Sequence, residues 1–187
     1  ELGEFAAATL DMLRQPLEVG VVRLSRSRES ATLPARFLLV AAMNPCPCGE
    51  GVVQGACACT SAARARYRRR ISAPLLDRFD LVVPLSRPDP DELLADVPGE
   101  PSADVAARVA LARARLAAPQ DGEPVLSPDA ADLLAAQLRS GSLSARGLHK
   151  VARVARTVTA LAGADEVSFA HASEALSMRA GRTVVVA

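Results

Sequence analysis

The run Phe37-Leu-Leu-Val-Ala-Ala42 holds six apolar residues without a polar interruption. It constrains the fold more than any other stretch. A strand with one wet face alternates polar and apolar residues, whereas a short unbroken apolar run reads as a strand buried on both faces, the habit of parallel sheets. A second apolar run, Leu81–Leu85, follows a stretch expected to be largely helical, Thr60–Leu76, with Pro74 as a point of interruption. Strand, crossover and strand together make a parallel β-α-β unit of a doubly wound sheet. The expected class is α/β.

Around that unit the punctuation is clear. Leu2–Leu13 has helical spacing of its apolar residues, with Pro16 just beyond. Val19–Leu24 and Thr32–Pro34 bracket the polar tip Ser25-Arg-Ser-Arg-Glu-Ser30, the pattern of a β-hairpin. Pro88, Pro90, Pro98 and Pro101 lie among acids and mark a linker. Beyond it four helices are expected: Val105–Ala118, Pro128–Leu138, Ala145–Ala162 and Phe169–Arg179. Ser127 before Pro128 is a suited N-cap pairing, and Ser144 and Ser168 take the same position before the next two helices. In the third of these helices Leu148, Val151, Ala152, Ala155, Val158 and Ala162 form the expected buried stripe. The expected domains are an α/β portion over 1–88, a linker over 89–101 and a small all-α domain over 102–187.

Half the residues are hydrophobic but only 3% are aromatic, so the interior is built from alanine, leucine and valine. The net charge of +1 argues neither for nor against a polyanionic partner. No apolar run approaches the roughly 20 residues that span a bilayer. The start, Glu1-Leu-Gly-Glu-Phe5, has neither a basic nor an apolar leader, so the expected setting is cytoplasmic and the chain is expected to be a piece of a longer protein.

Several residues could carry chemistry. Arg78, in Leu75-Leu-Asp-Arg-Phe-Asp80, stands between a helical stretch and an apolar strand, which suits an arginine that stabilises phosphoryl charge. The bland alternative is a surface ion pair with Asp77 or Asp80. Asn44 follows the first apolar run, at the strand end where α/β sheets bind ligands; an Asn-Pro turn is the plainer reading. Cys46, Cys48, Cys57 and Cys59 form C-x-C-x8-C-x-C, four thiolates able to enclose one Zn²⁺, with a redox dithiol or uninvolved cysteines as rivals. Five arginines in seven residues surround Tyr67, the only tyrosine; they form a solvated helix face or an interface. Lys150 is the only lysine, so these residues contain no G-x-x-x-x-G-K-[ST] phosphate loop.

Asn44-Pro-Cys-Pro-Cys-Gly49, the Arg78 segment, Leu143-Ser-Ala-Arg-Gly147 and Glu174-Ala-Leu-Ser-Met-Arg179 occur in an order that resembles the magnesium-chelatase-like AAA+ ATPases of the ComM/YifB group. Ala73 departs from the glycine expected there. The resemblance implies a partial AAA+ parallel-sheet domain with a β-hairpin insert, followed by an all-α lid. It also makes Glu1-Leu-Gly-Glu-Phe5 the tail of a Walker B segment, with Glu1 polarising the attacking water. Asn44 would be the sensor-1 residue, Arg78 a finger reaching a neighbour's ATP, and Arg146 a sensor-2 contact to the nucleotide. Arg153, seven residues on, shares the face of Arg146. The hairpin with Arg26 and Arg28 resembles the pre-sensor-1 hairpin of such motors and could touch DNA phosphates; solvated turn residues are an equal alternative.

The function implied is an ATP- and Mg²⁺-dependent ring motor, a hexamer, that remodels single-stranded or branched DNA in transformation or recombination. Two alternatives stand beside it: a magnesium-chelatase-type motor for metal insertion, and a non-enzymatic zinc-stabilised nucleic-acid or assembly module. Without a phosphate loop, these residues alone are expected to be inactive as an ATPase.

Overall fold

The computed structural model describes residues 1–26, 29–52, 55–95, 98–117 and 125–186. They divide into two compact units, Glu1–Phe79 together with Arg182–Ala187, and Asp80–Gly181.

In the first unit a 3₁₀ turn at Leu2–Glu4 precedes α1 (Ala7–Met12) and α2 (Arg14–Val19). The helix expected to stop before Pro16 instead restarts around it. Pro16 occupies the first turn of α2, where its missing N–H has no intrahelical partner to lose. Gly20 ends α2 at φ 72°, donating to the Pro16 carbonyl, a left-handed cap that glycine adopts without strain. The hairpin follows as β1 (Val21–Arg26) and β2 (Glu29–Pro34), paired antiparallel from Val21 opposite Pro34 to Arg26 opposite Glu29. All of β2 is exposed.

The helical stretch at Thr60–Leu76 divides at residues 69–72, just before Pro74. It forms α3 (Ser61–Arg68) and α4 (Ala73–Leu76), each started by a hydroxyl. Thr60 Oγ1 accepts from Ala63 N–H (3.2 Å) and Ser72 Oγ from Leu75 N–H (3.3 Å). Leu10, Tyr67, Ile71, Leu75, Leu76 and Cys46 are buried in this unit.

The expected parallel strands do not form. Among the described residues the sheet is the antiparallel pair β1–β2, and neither 37–42 nor 81–85 joins a ladder. Leu38 is 88% exposed and Val40 82%. A parallel strand is stable only between neighbours that take its N–H and C=O groups and cover its faces, and these residues supply no such neighbours. The architecture seen is mixed α/β, with a small two-stranded sheet and a helical unit.

The second unit carries α5 (Pro90–Leu94), α6 (Ser102–Ala117), α7 (Pro128–Arg139), α8 (Ala145–Leu161) and the greater part of α9 (Phe169–Val186). Ser127 Oγ accepts from Ala130 N–H and Ser144 Oγ from Gly147 N–H, as their positions predict. Ala130, Leu134, Leu143, Val151, Ala155, Val167, Ala172 and Ala175 form the core. The buried stripe of α8 is Gly147, Val151, Ala155 and Thr159, so Val158 and Ala162 lie off it. Thr159 is tolerated inside because its hydroxyl bonds the Ala155 carbonyl (2.9 Å) and His171 Nδ1 (3.0 Å). No helix among the described residues is long and apolar enough to cross a membrane.

Candidate functional site

Arg78 follows α4, and the placement of α4 is set at its other end. Ser72 Oγ donates to Asp11 Oδ1 (2.6 Å) and accepts from Arg14 Nη2 (2.7 Å), while Arg14 and Asp11 pair at 2.8 Å. This knot joins α1, α2 and the start of α4. From its far end the Arg78 side chain turns back: Nε donates to the Arg14 carbonyl (2.9 Å), Nη1 to the Pro74 carbonyl (2.7 Å) and Nη2 to Glu18 Oε2. The side chain is only 17% exposed. Two main-chain carbonyls orient the guanidinium plane, and the Glu18 carboxylate takes its outer edge. Arg78 thus pairs with Glu18, sixty residues away in sequence.

Asp80, in the second unit, accepts from both Lys150 Nζ and Arg153 Nη2 at 2.9 Å. Arg153 thus shares an acid with the single lysine. Arg146 is exposed in the first turn of α8. The Gly147 beside it is required by packing, since a Cβ there would lie 2.9 Å from Leu143 Cδ1 and 3.2 Å from the Arg179 guanidinium.

Glu1 and Asn44 are both exposed on backbone outside any helix or strand. The main chain nonetheless links their segments, because Leu2 N–H donates to the Ala42 carbonyl (2.8 Å). Tyr67 packs against the first of them: its ring lies against Gly3, and burial followed by the charge of Glu4 pushes its pKa up. Of the arginines around it, Arg70 turns inward, with its guanidinium carbon 5.7 Å from the Tyr67 ring centroid and Nη1 donating to the Gly3 carbonyl. Arg64, Arg66 and Arg69 are exposed. The bracket around Tyr67 and the acid Glu18 escape a reading of sequence; the lone tyrosine in an arginine run was the only local signal.

The four cysteine sulfurs lie within 4.8 Å of one another. Cys46 and Cys48 are 3.3 Å apart, Cys46 and Cys57 3.5 Å, and Cys48 and Cys57 3.7 Å. Four sulfurs at tetrahedral Zn–S distances would be separated by about 3.8 Å, so the group could hold a metal ion. Positive φ at Gly49 (79°) and Gly55 (81°) turns the loop tightly enough to bring the pairs together. Cys46 is fully buried, and burial raises its thiol pKa. The backbone N–H of Glu50, followed by the Cys46 thiol, pulls Cys48 down to about 6; hydrogen bonding to Cys48 pushes Cys59 up to about 11. One sulfur is a ready thiolate, and it draws on its neighbours' protons.

The Arg26 and Arg28 side chains lie outside the described residues; the Arg26 backbone closes the β1–β2 ladder opposite Glu29.

The sequence matches known proteins along most of its length. The family described as magnesium chelatase, subunit ChlI, matches residues 1–93, and magnesium chelatase, subunit ChlI C-terminal, matches residues 99–179. YifB of Escherichia coli is 42% identical over 96% of this chain, and the competence protein ComM of Haemophilus influenzae 37% identical over 96%. An uncharacterised Mycobacterium tuberculosis protein is also 37% identical over 96%. The chain spans 38% of the length of each of these relatives. Matched along nearly its whole length, the chain belongs to the magnesium-chelatase-like family that includes YifB and ComM.

Proposed function

We propose that the chain is part of an AAA+ ring ATPase, a hexamer, whose parent uses Mg-ATP to remodel single-stranded or branched DNA in the cytoplasm. The observation that carries this reading is the setting of Arg78. An arginine oriented by two carbonyls, with its outer edge on the Glu18 carboxylate, can exchange that carboxylate for the phosphate of a neighbouring subunit. In such a ring Arg78 acts in trans, stabilising charge that develops on the transferring phosphoryl group. Glu1 polarises the attacking water and Asn44 orients it, while Arg146 and Arg153 reach the nucleotide from the helical domain. ATP supplies the phosphoryl group and magnesium its charge neutralisation. The phosphate-cradling loop and the metal ligands belong to other parts of the parent, whose further strands would also cover the runs at 37–42 and 81–85.

The cysteine group takes Zn²⁺ in this reading, with Cys46, Cys48, Cys57 and Cys59 as ligands and a structural role. The exposed hairpin, with Arg26 and Arg28 at its tip, is the DNA-contacting element, binding phosphates without sequence preference. The exposure of β2, together with the name of the competence relative, favours DNA over a porphyrin as client.

The test is the ATPase rate of the full-length parent with and without a four-way DNA junction. Stimulation by the junction that disappears in a double Arg26→Ala, Arg28→Ala variant is expected. A rate indifferent to DNA but raised by a porphyrin would replace this reading with metal insertion.

A further inference from the structure

We infer that the hydrogen-bonded group of Asp11, Arg14 and Ser72 is a positioning device for Arg78, holding the finger in the geometry that serves a neighbouring subunit. The inference rests on the reading above, in which Arg78 acts in trans.

The acceptors that hold Arg78 come from two short helices. The Arg14 carbonyl and Glu18 Oε2 belong to α2, about one turn apart, and the Pro74 carbonyl belongs to α4. The direction of the guanidinium is therefore set by how α2 sits against α4. Helices of six and four residues are too short to stand in water unaided, so their placement depends on tertiary ties. Leu75 and Leu76 are buried and keep α4 on the unit. Apolar burial is non-directional, however, and does little to oppose sliding or turning along the contact. A misplacement of about 1 Å at a reacting centre can cost on the order of a hundredfold in rate.

Ser72 removes that freedom. Its hydroxyl uses its one donor and both acceptor positions. It donates to Asp11 Oδ1 (2.6 Å) and accepts from Arg14 Nη2 (2.7 Å) and from Leu75 N–H (3.3 Å). The last bond caps α4, and the first two tie that cap to α1 and α2. Arg14 Nη2 closes the group on Asp11 Oδ1 at 2.8 Å. Arg14 then meets the finger through its main chain: the residue whose side chain grips the cap of α4 lends its carbonyl to Arg78 Nε (2.9 Å). On the other side, the Arg78 N–H donates to the carbonyl of Leu75 (2.9 Å), the residue that Ser72 caps. Ser72 thus bears on Arg78 twice, through Arg14 on what Nε meets and through α4 on the Pro74 carbonyl and the Arg78 backbone.

Stability alone is a weak reason for such a group. The Arg14 and Asp11 side chains are 34% and 38% exposed, and an ion pair of that exposure contributes little. A helix cap needs only the bond to Leu75. The further bonds of Ser72 run to α1 and α2, and α2 is the helix that carries the other acceptors of Arg78.

The experiment is steady-state ATP hydrolysis by the full-length parent carrying Ser72→Ala or Asp11→Ala, each alone and with Arg78→Ala, and by rings of mixed subunits. Each single variant is expected to lower kcat about tenfold or more, with KM for ATP within about twofold and the melting temperature within a few degrees of wild type. In the Arg78→Ala background neither should cause a further loss, because both act through Arg78. Mixing locates the defect. Ser72→Ala subunits keep Glu1 and lack only a well-placed finger, so adding Glu1→Gln subunits should raise the rate above the mean of the two measured apart. Adding Arg78→Ala subunits should not. Recovery with Arg78→Ala but not with Glu1→Gln would put the defect in the subunit's own nucleotide site and overturn the inference. An unchanged kcat in both single variants overturns it too, as does an equal loss with and without Arg78. A parent that hydrolyses no ATP, or that is indifferent to Arg78→Ala, overturns the functional reading itself. An active, Arg78-dependent parent indifferent to Ser72→Ala and Asp11→Ala overturns only this one.

Discussion

Arg78 is paired with Glu18, a residue from the last turn of α2, while its other two nitrogens are held by the Arg14 and Pro74 carbonyls. The carbonyls set direction, and in the proposed reading the carboxylate holds the edge that a phosphate would take. Arg78→Ala in the full-length parent is expected to lower kcat by about 10³-fold or more, the scale on which arginine fingers act. Mixing Arg78→Ala subunits with Glu1→Gln subunits should restore part of the rate, because each supplies what the other lacks across the interface. No recovery on mixing would place Arg78 in its own subunit's site. Glu18→Gln, which removes the competing charge, should leave the rate at or above wild type, and a fall as deep as that of Arg78→Ala would contradict the exchange.

The cysteine group predicts metal content. Purified protein should carry zinc near one equivalent per chain, measured by atomic emission. Cys46→Ser should lose it together with stability, since Cys46 is the fully buried thiol of the group. Each kcal/mol lost lowers the melting temperature by about 2–4 °C for a chain of this size. Zinc far below one equivalent in protein never exposed to chelator would remove the structural site.

The same group predicts an order of thiol reactivity in zinc-free protein. Cys48 is exposed, and hydrogen bonds, first from the Glu50 N–H, hold its pKa near 6, below the ordinary thiol value of 9.0. Its alkylation by iodoacetamide should rise through about pH 6 and level off by neutrality. Cys59, held at about 11, should lag behind it. The linkage has a definite sign. A depressed thiol favours the folded chain above its unfolded value, and that contribution is lost as pH falls through about 6. Zinc uptake must drive protons from Cys46 and Cys59, so apparent affinity should increase steeply from pH 6 to 8. Mass spectrometry that found Cys59 labelled before Cys48 at pH 7 would refute the ordering.

The helical unit offers a stability test independent of any activity. Leu134 is buried among Ala130, Val151 and their neighbours, so Leu134→Ala should cost about 2–5 kcal/mol in urea unfolding. Ser144→Ala removes one capping oxygen from α8 and should cost about 1 kcal/mol. Were the two losses equal, the packing assigned to Leu134 would be wrong.

What could be read along the chain was local. The hairpin is legible because apolar arms bracket a polar tip, and the helix starts at Ser127 and Ser144 because a hydroxyl cap acts within three residues. The cysteine group is legible because its loop is short enough for glycine turns to close. The motif order pointed to the family, which the relatives bear out. Other features belonged to tertiary structure alone. Residues 37–42 have strand composition yet form no strand here, because a ladder depends on neighbours that composition does not supply. The stripe of α8 runs through Thr159, because a hydroxyl can be buried once His171 and the Ala155 carbonyl satisfy it. Glu18 meets Arg78, and Gly3 meets Tyr67, across some sixty residues of chain. Charge and shape are specified residue by residue, but which opposite charge or empty space a side chain meets is decided only when the helices pack.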